Sequence, residues 1–249
     1  MKMKKGLIIG KGWIGEKLEK YLITEFLITT TKRISDTENC ISIDFDQKDF
    51  THLDINQFEF IVITIPFGKR NTTEELFFRF DNLIEFMGNY NKQIILISST
   101  GIYPDSNQIV SESTYSDSEL NTPYISIENK VKSQFPQTTI LRLGGIMGDN
   151  RYLSKYLNLN REDLDEVVNH IHYQDILAVI KTCVERNLIS SIYNVVAPLH
   201  PSKREVLEFQ LNQNLIQSDI KKGKTISSEK LINELNYLFI FENPVYFKG

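Results

Sequence analysis

The run Leu7-Ile8-Ile9 ends in Gly10-Lys11-Gly12-Trp13-Ile14-Gly15, and an amphipathic segment follows at once. A short apolar strand that turns through G-x-G-x-x-G into a helix can be built in very few ways. The first glycine permits the tight turn, the second lets another group approach the backbone, and the third lets helix and strand pack closely. The new helix presents unpaired N–H groups and a partial positive charge at its start. The loop Gly10, Lys11, Gly12, Trp13, Ile14 and Gly15 is therefore the candidate cradle for a pyrophosphate.

Short apolar runs alternate with helical patterns behind this corner, the rhythm of a parallel sheet. Strands are expected near 6–10, 26–30, 41–44, 60–65, 94–98 and 139–142. Ile61-Val62-Ile63-Thr64-Ile65 and Ile94-Ile95-Leu96-Ile97 are continuous apolar runs, as in strands covered on both faces. Helices are expected over 14–22 and 73–88, the second with Leu76, Phe77, Phe80, Leu83, Ile84 and Met87 on one face. The expected architecture is α/β, a Rossmann-type doubly wound parallel sheet. After about residue 148 the texture becomes polar. Val167-Val168 reads as a strand leading to His170-Ile171-His172. Asp175 is the expected N-cap of a helix to about 186, and Ile192–Val196 is a further buried strand. The last fifty residues read as small helices and a loose tail. No linker is visible, so residues 1–249 read as a single dinucleotide-binding domain, with 149–166 and 200–249 forming a small C-terminal substrate lobe.

Composition narrows the function. The 249 residues carry a net charge of −4 and no long basic run, which argues against a nucleic-acid partner. Cys40 and Cys183 are too few and too far apart for a disulfide framework or a clustered metal site. The basic start Met1–Lys5 is followed by an apolar run that breaks at Gly10-Lys11-Gly12, too soon for a secretory signal. No stretch is long enough to span a bilayer. The expectation is a cytoplasmic protein with a small-molecule partner, no membrane partner, and a monomeric or homodimeric state.

The second strand should end on the group that reads the adenosine ribose. An acidic residue there holds a 2′-hydroxyl. Here the stretch is Thr29-Thr30-Thr31-Lys32-Arg33, with no carboxylate. Thr30, Thr31, Lys32 and Arg33 suit a 2′-phosphate, so NADP is expected, with NAD as the alternative. Asp44 and Phe45 follow the third strand and are placed to flank the adenine. Pro66, Phe67 and Gly68 follow the fourth and are placed to line the cofactor channel.

Further segments carry a resemblance. Ser98-Ser99-Thr100-Gly101-Ile102-Tyr103 resembles S-S-x-x-V-Y-G. Leu141-Arg142-Leu143-Gly144-Gly145-Ile146-Met147-Gly148 resembles R-x-x-x-x-Y-G, Asn169–Asp175 an I-H-V-x-D box, and Tyr193-Asn194-Val195 a strand ending in Y-N-V. In that order they resemble the extended and atypical short-chain dehydrogenase/reductases, the branch of NAD(P)-dependent epimerases and dehydratases. The resemblance implies a proton relay of tyrosine, a lysine four residues on, and a serine that orients the substrate oxygen. Ser99 fits the serine. No tyrosine has a lysine four residues later, and Tyr124 has Glu128 there. The register Ser126-x-x-x-Lys130 keeps the lysine and puts serine in the tyrosine's place. The resemblance thus implies Ser99, Tyr124, Ser126 and Lys130 as catalytic candidates, with Lys130 also on the cofactor ribose.

Two functions remain open on the sequence. One is an NAD(P)-dependent oxidoreductase or epimerase-like enzyme on a small polar substrate such as a sugar nucleotide, with Tyr124, Tyr103 or water supplying the proton. The other is a non-catalytic NADP-binding sensor or scaffold. His170 and His172 point the same way on a strand but lack a third ligand, so no metal is expected. Arg142 is expected to pair with a carboxylate.

Overall fold

A computed structural model describes residues 3–50, 53–67, 72–157, 162–213 and 221–247. Gly68, expected in the cofactor channel, lies outside the described residues, as do 158–161, 214–220, 248 and 249 of the expected lobe. The strands in chain order are β1 (Lys5–Ile9), β2 (Leu27–Lys32), β3 (Cys40–Asp44), β4 (Asp49–Phe50), β5 (Phe60–Ile63), β6 (Gln93–Ser99), β7 (Ile109–Val110), β8 (Thr138–Leu143), β9 (Gly145–Met147), β10 (His170–His172), β11 (Ile192–Val195) and β12 (Thr225–Ile226). The helices are α1 (Trp13–Leu22), α2 (Thr73–Met87), α3 (Thr122–Gln134), α4 (Tyr173–Glu185), α5 (Lys203–Leu211) and α6 (Glu229–Leu235).

The main sheet has the order β11-β8-β6-β5-β1-β2-β3-β4. Seven of its strands are parallel, and the two-residue β4 pairs antiparallel with β3. Gly6 of β1 stands between Ile28 of β2 and Phe60 of β5. The chain builds outward from β1 to β3 and then returns to β5 on the other side of β1. That reversal opens a crevice at the carboxyl ends of the central strands, where ligands bind in open α/β sheets.

The chain divides into two compact units. The first comprises Met1–Ser99, Asn121–Leu141 and Ile180–Ile192. Its core joins Leu7, Ile9, Ile61, Ile63, Ile94 and Leu96 of the sheet to Leu76, Phe80 and Leu83 of α2 and to Ile127 and Val131 of α3. The alternate residues Ile8, Val62 and Ile95 are equally buried, so the strands are covered on both faces and read as unbroken apolar runs. Helix α2 starts at a capping box between Thr72 and Glu75 and stops at Gly88, where φ is +54°.

The second unit comprises Thr100–Leu120, Arg142–Val179 and Tyr193–Gly249. It holds the two-stranded pairs β9-β10 and β7-β12 and a small core of Leu153, Leu164, Val168, Val206 and Leu207. Two sequence expectations are corrected here. Helix α4 opens at Tyr173, so Asp175 is not its N-cap but lies inside the first turn, fully buried. Its carboxylate is recruited by the C-terminal segment instead: it accepts from Tyr237 Oη at 2.8 Å and from the backbone N–H groups of Ile240 and Phe241 at 2.7 and 3.1 Å. The C-terminal segment is accordingly not loose. Tyr237, Phe239 and Phe247 are buried, and Phe241 stacks on His172 with ring centroids 3.7 Å apart. These anchors sit at irregular spacing, which leaves no period to read.

Candidate dinucleotide site

The glycine corner is tied by its own backbone. Gly10 has a φ of +104°, and a Cβ there would meet Ile65 N and Thr64 Oγ1 at 3.2 Å. A Cβ on Gly15 would lie 2.3 Å from Gly10 O. Thr64 Oγ1 donates to Gly10 O at 2.5 Å, Gly10 N–H donates to Thr31 Oγ1 at 3.2 Å, and Lys11 N–H donates to Thr31 O at 2.6 Å. The protein itself therefore demands glycine at 10 and 15.

Gly12 is different. It is the extended N-cap of α1, no side chain caps that helix, and a Cβ there would meet nothing within 4 Å. Nothing in the protein requires a glycine at this exposed position. Its bare Cα opens the start of a ten-residue helix to an approaching anion. Ile14 and Gly15 are buried behind it, and Trp13 is half-buried with the Lys17 ammonium 4.8 Å from its ring centroid.

Beside this corner lies a cavity of about 280 Å³. Its apolar lining is Ile43, Phe45, Ile65 and Pro66, and its polar lining is Gly10, Lys11, Gly12, Thr31, Lys32, Arg33, Asp44, Asp46, Thr64 and Arg79. The structure thus brings together most of the residues singled out in the sequence as cofactor contacts. Thr30 is not among them. In a strand successive side chains alternate in face. Thr31 therefore turns to the corner, and the Thr30 hydroxyl is buried without a hydrogen-bond partner.

The cations of the site are already paired. Lys11 is buried, and its ammonium meets Asp36 at 2.9 Å, Glu19 at 3.0 Å and Thr37 Oγ1 at 3.1 Å. Burial works against that charge, but the hydrogen bonds to Asp36 and Glu19 outweigh it and raise the ammonium pKa. Lys32 meets the other Asp36 oxygen at 2.7 Å. Hydrogen bonds from Lys32 and Lys11 hold the Asp36 carboxyl well below the usual carboxylate range. Asp46 takes a bidentate pair from Arg79 at 2.7 and 2.9 Å and a further contact from Arg33. Sequence reasoning missed Ile43, Asp46, Thr64, Ile65 and Arg79. Arg79 carried a signal: it stands in the apolar stripe of α2, three residues after Leu76 and four before Leu83. A cation in such a stripe needs an internal partner.

The candidate reaction residues are placed as follows. Ser99 ends β6 and is half-buried. Its neighbour Ser98 donates to Glu128 Oε1 at 2.6 Å, and both are buried. Tyr124 lies in the first turn of α3, its ring 5.5 Å from that of Phe67. Glu128 follows one turn later. Ser126 is half-buried on the same helix, and Lys130 pairs with Asp81 of α2. Lys130 is not among the residues lining the cavity.

In the second unit Tyr103, Arg142 and Asn194 form one buried network. Arg142 donates to Tyr103 Oη at 2.9 Å, and Tyr103 donates to Asn194 Oδ1 at 2.7 Å. Burial pushes the Tyr103 phenol pKa up. Three of the resembling segments are thus knit together by one set of hydrogen bonds. Among the partners of Arg142 is the Tyr103 phenol. His172 Nδ1 accepts from Gln174 N–H at 3.4 Å. Burial lowers the His170 pKa to about 4, aided by Lys203. Among the described residues no group of three or more His, Cys, Asp or Glu could hold a metal ion.

No protein-family model matches the chain. Protein YeeZ of Escherichia coli K12 is 25% identical over 98% of both chains. A solved structure from Methylobacillus flagellatus, described as an NAD-dependent epimerase/dehydratase, superposes with a TM-score of 0.78 at 18% identity over 99% of this chain and 96% of that one. The human epimerase family protein SDR39U1, solved with NADPH, gives 0.71 at 14% identity over 97% of each. An ADP-L-glycero-D-manno-heptose-6-epimerase of Helicobacter pylori gives 0.72 at 15% identity over 96% and 92%. The chain has the α/β Rossmann fold of the NAD(P)-dependent epimerase/dehydratase-like proteins.

Proposed function

We propose that the cavity beside the glycine corner binds the adenosine half of a nicotinamide dinucleotide, with its pyrophosphate at Gly12 and the start of α1. The observation that carries this is Gly12, a glycine that no protein atom requires at an uncapped helix start. Thr31, Lys32 and Arg33 favour NADP over NAD, and Asp44 and Phe45 flank the base. The test is Gly12→Asp. Aspartate caps helices at least as well as glycine, so folding is kept. The added carboxylate fills the cradle and repels phosphate. Calorimetric titration is expected to show NADPH binding weakened at least about tenfold with an unchanged melting temperature. Unchanged affinity would refute the assignment.

The protein is then an oxidoreductase or epimerase-like enzyme on a small polar substrate such as a sugar nucleotide, the class named for its heptose-epimerase neighbour. A bound nicotinamide supplies a hydride acceptor or donor. Ser99 orients the substrate oxygen, and Tyr124 holds or releases the proton there. Ser126 and Lys130, the latter paired with Asp81, are the further candidates. Ser99→Ala is expected to lower turnover about a hundredfold while cofactor affinity stays unchanged.

One observation favours a second reading, a dinucleotide-binding protein without turnover. Where an ammonium four residues after the tyrosine would favour a phenolate, this chain has the buried carboxyl of Glu128. Failure of a sugar-nucleotide panel to oxidise or reduce the cofactor, with NADPH still binding, would select that reading.

A further inference from the structure

Asp36 is the residue that joins the two lysines of the site, and it is not itself part of the cavity lining. It sits between β2 and β3, its side chain 38% exposed, with one oxygen on Lys11 and the other on Lys32. With Glu19 also on Lys11, two ammoniums face two carboxylates and the cluster carries no net charge. The neighbouring cluster repeats the balance: Arg33 and Arg79 face Asp46, and Asp44 lies 3.7 Å from Arg33. Four cations line this cavity, yet a phosphate entering it meets a neutral rim.

We infer that Asp36 is a specificity-determining residue: by neutralising Lys11 and Lys32 from outside the cavity, it limits how strongly a 2′-phosphorylated dinucleotide is preferred over an unphosphorylated one. The inference rests on the reading of the cavity as a dinucleotide site. A 2′-phosphate adds nearly two negative charges at pH 7. Its attraction to Lys11 and Lys32 is offset by repulsion from a carboxylate held against both. Removing that charge leaves the lysines in place and the rim net positive. A dinucleotide that ends in a 2′-hydroxyl lacks this added charge and gains only through its pyrophosphate at Gly12, so it responds less to the change. The competing effect is orientation, since Asp36 also holds the lysine side chains. An ammonium has three donors and can serve a carboxylate and a phosphate together, so loss of repulsion outweighs loss of orientation.

The experiment is calorimetric titration of the full chain and of Asp36→Asn with four probes: NADPH, NADH, 2′,5′-ADP and 5′-AMP. In Asp36→Asn, NADPH and 2′,5′-ADP are expected to tighten about tenfold, while NADH and 5′-AMP stay within about threefold. The gain shrinks as salt is raised. Lys32→Gln is expected to act in the opposite sense, weakening the 2′-phosphorylated pair alone. Equal shifts for both members of each pair, or weaker NADPH binding in Asp36→Asn, would overturn the role of Asp36 and leave the dinucleotide site standing. A wild-type protein that binds none of the four probes would overturn the site and this inference with it.

Discussion

At the scale of single residues, burial decides which charges exist. His170 is held neutral, with its pKa lowered from 6.5 to about 4 by burial and by Lys203, and burial lowers that of His200 as well. A base whose folded pKa is depressed binds fewer protons in the native state than in the unfolded chain. Stability from this source is complete above about pH 6.5 and is lost as pH falls towards 4. Thermal melts at pH 8 and pH 5 are expected to show a lower melting temperature at pH 5, with a shallower dependence in His170→Gln. An identical slope in that variant would place the titrating group elsewhere. Single residues were also where the sequence said least. Asp46 and Arg79 are separated by 33 positions, and Asp175 meets Tyr237 across 62. No local pattern announces such partners. Thr30 and Thr31 look equivalent in the chain, and only the register of β2 turns one to the cavity and the other away.

At the scale of elements, the strand–glycine–helix corner was legible because its constraint is local. Gly10 must take a positive φ, and Gly15 must leave room for Gly10 O. Gly15→Ala puts a methyl group 2.3 Å from that oxygen, a backbone contact that cannot move aside cheaply. It is expected to cost about 3 kcal/mol in denaturant unfolding. A cost below about 0.5 kcal/mol would show that α1 shifts freely on β1. The continuous apolar runs of β5 and β6 were legible for a similar reason, since a strand covered on both faces has no alternation to obscure it. The start of α4 was not. Asp175 looks like a cap by residue type, but its carboxyl is satisfied by backbone N–H groups more than sixty residues away. A tertiary partner overrode the local preference.

At the scale of the whole chain, the order of the motifs carried more information than any one of them. Glycine corner, serine segment, arginine strand, histidine box and Y-N-V strand occur in that order along the chain, which has the fold of epimerase/dehydratase-like proteins. The second unit stayed opaque because its small sheets have two- and three-residue strands and its core is assembled from isolated residues. Among the described residues no helix is long and apolar enough to cross a membrane.

The chain supplies its own reporter for the central claim. Trp13 is its single tryptophan and stands in the glycine loop at the first turn of α1. Titration of the wild-type protein with NADPH, exciting the indole, is expected to give saturable quenching with sensitised emission from the reduced nicotinamide, and in Gly12→Asp the same signal only at concentrations at least about tenfold higher. Unaltered Trp13 emission at millimolar NADPH and NADH, or the same response at the same concentrations in Gly12→Asp, would contradict the dinucleotide site.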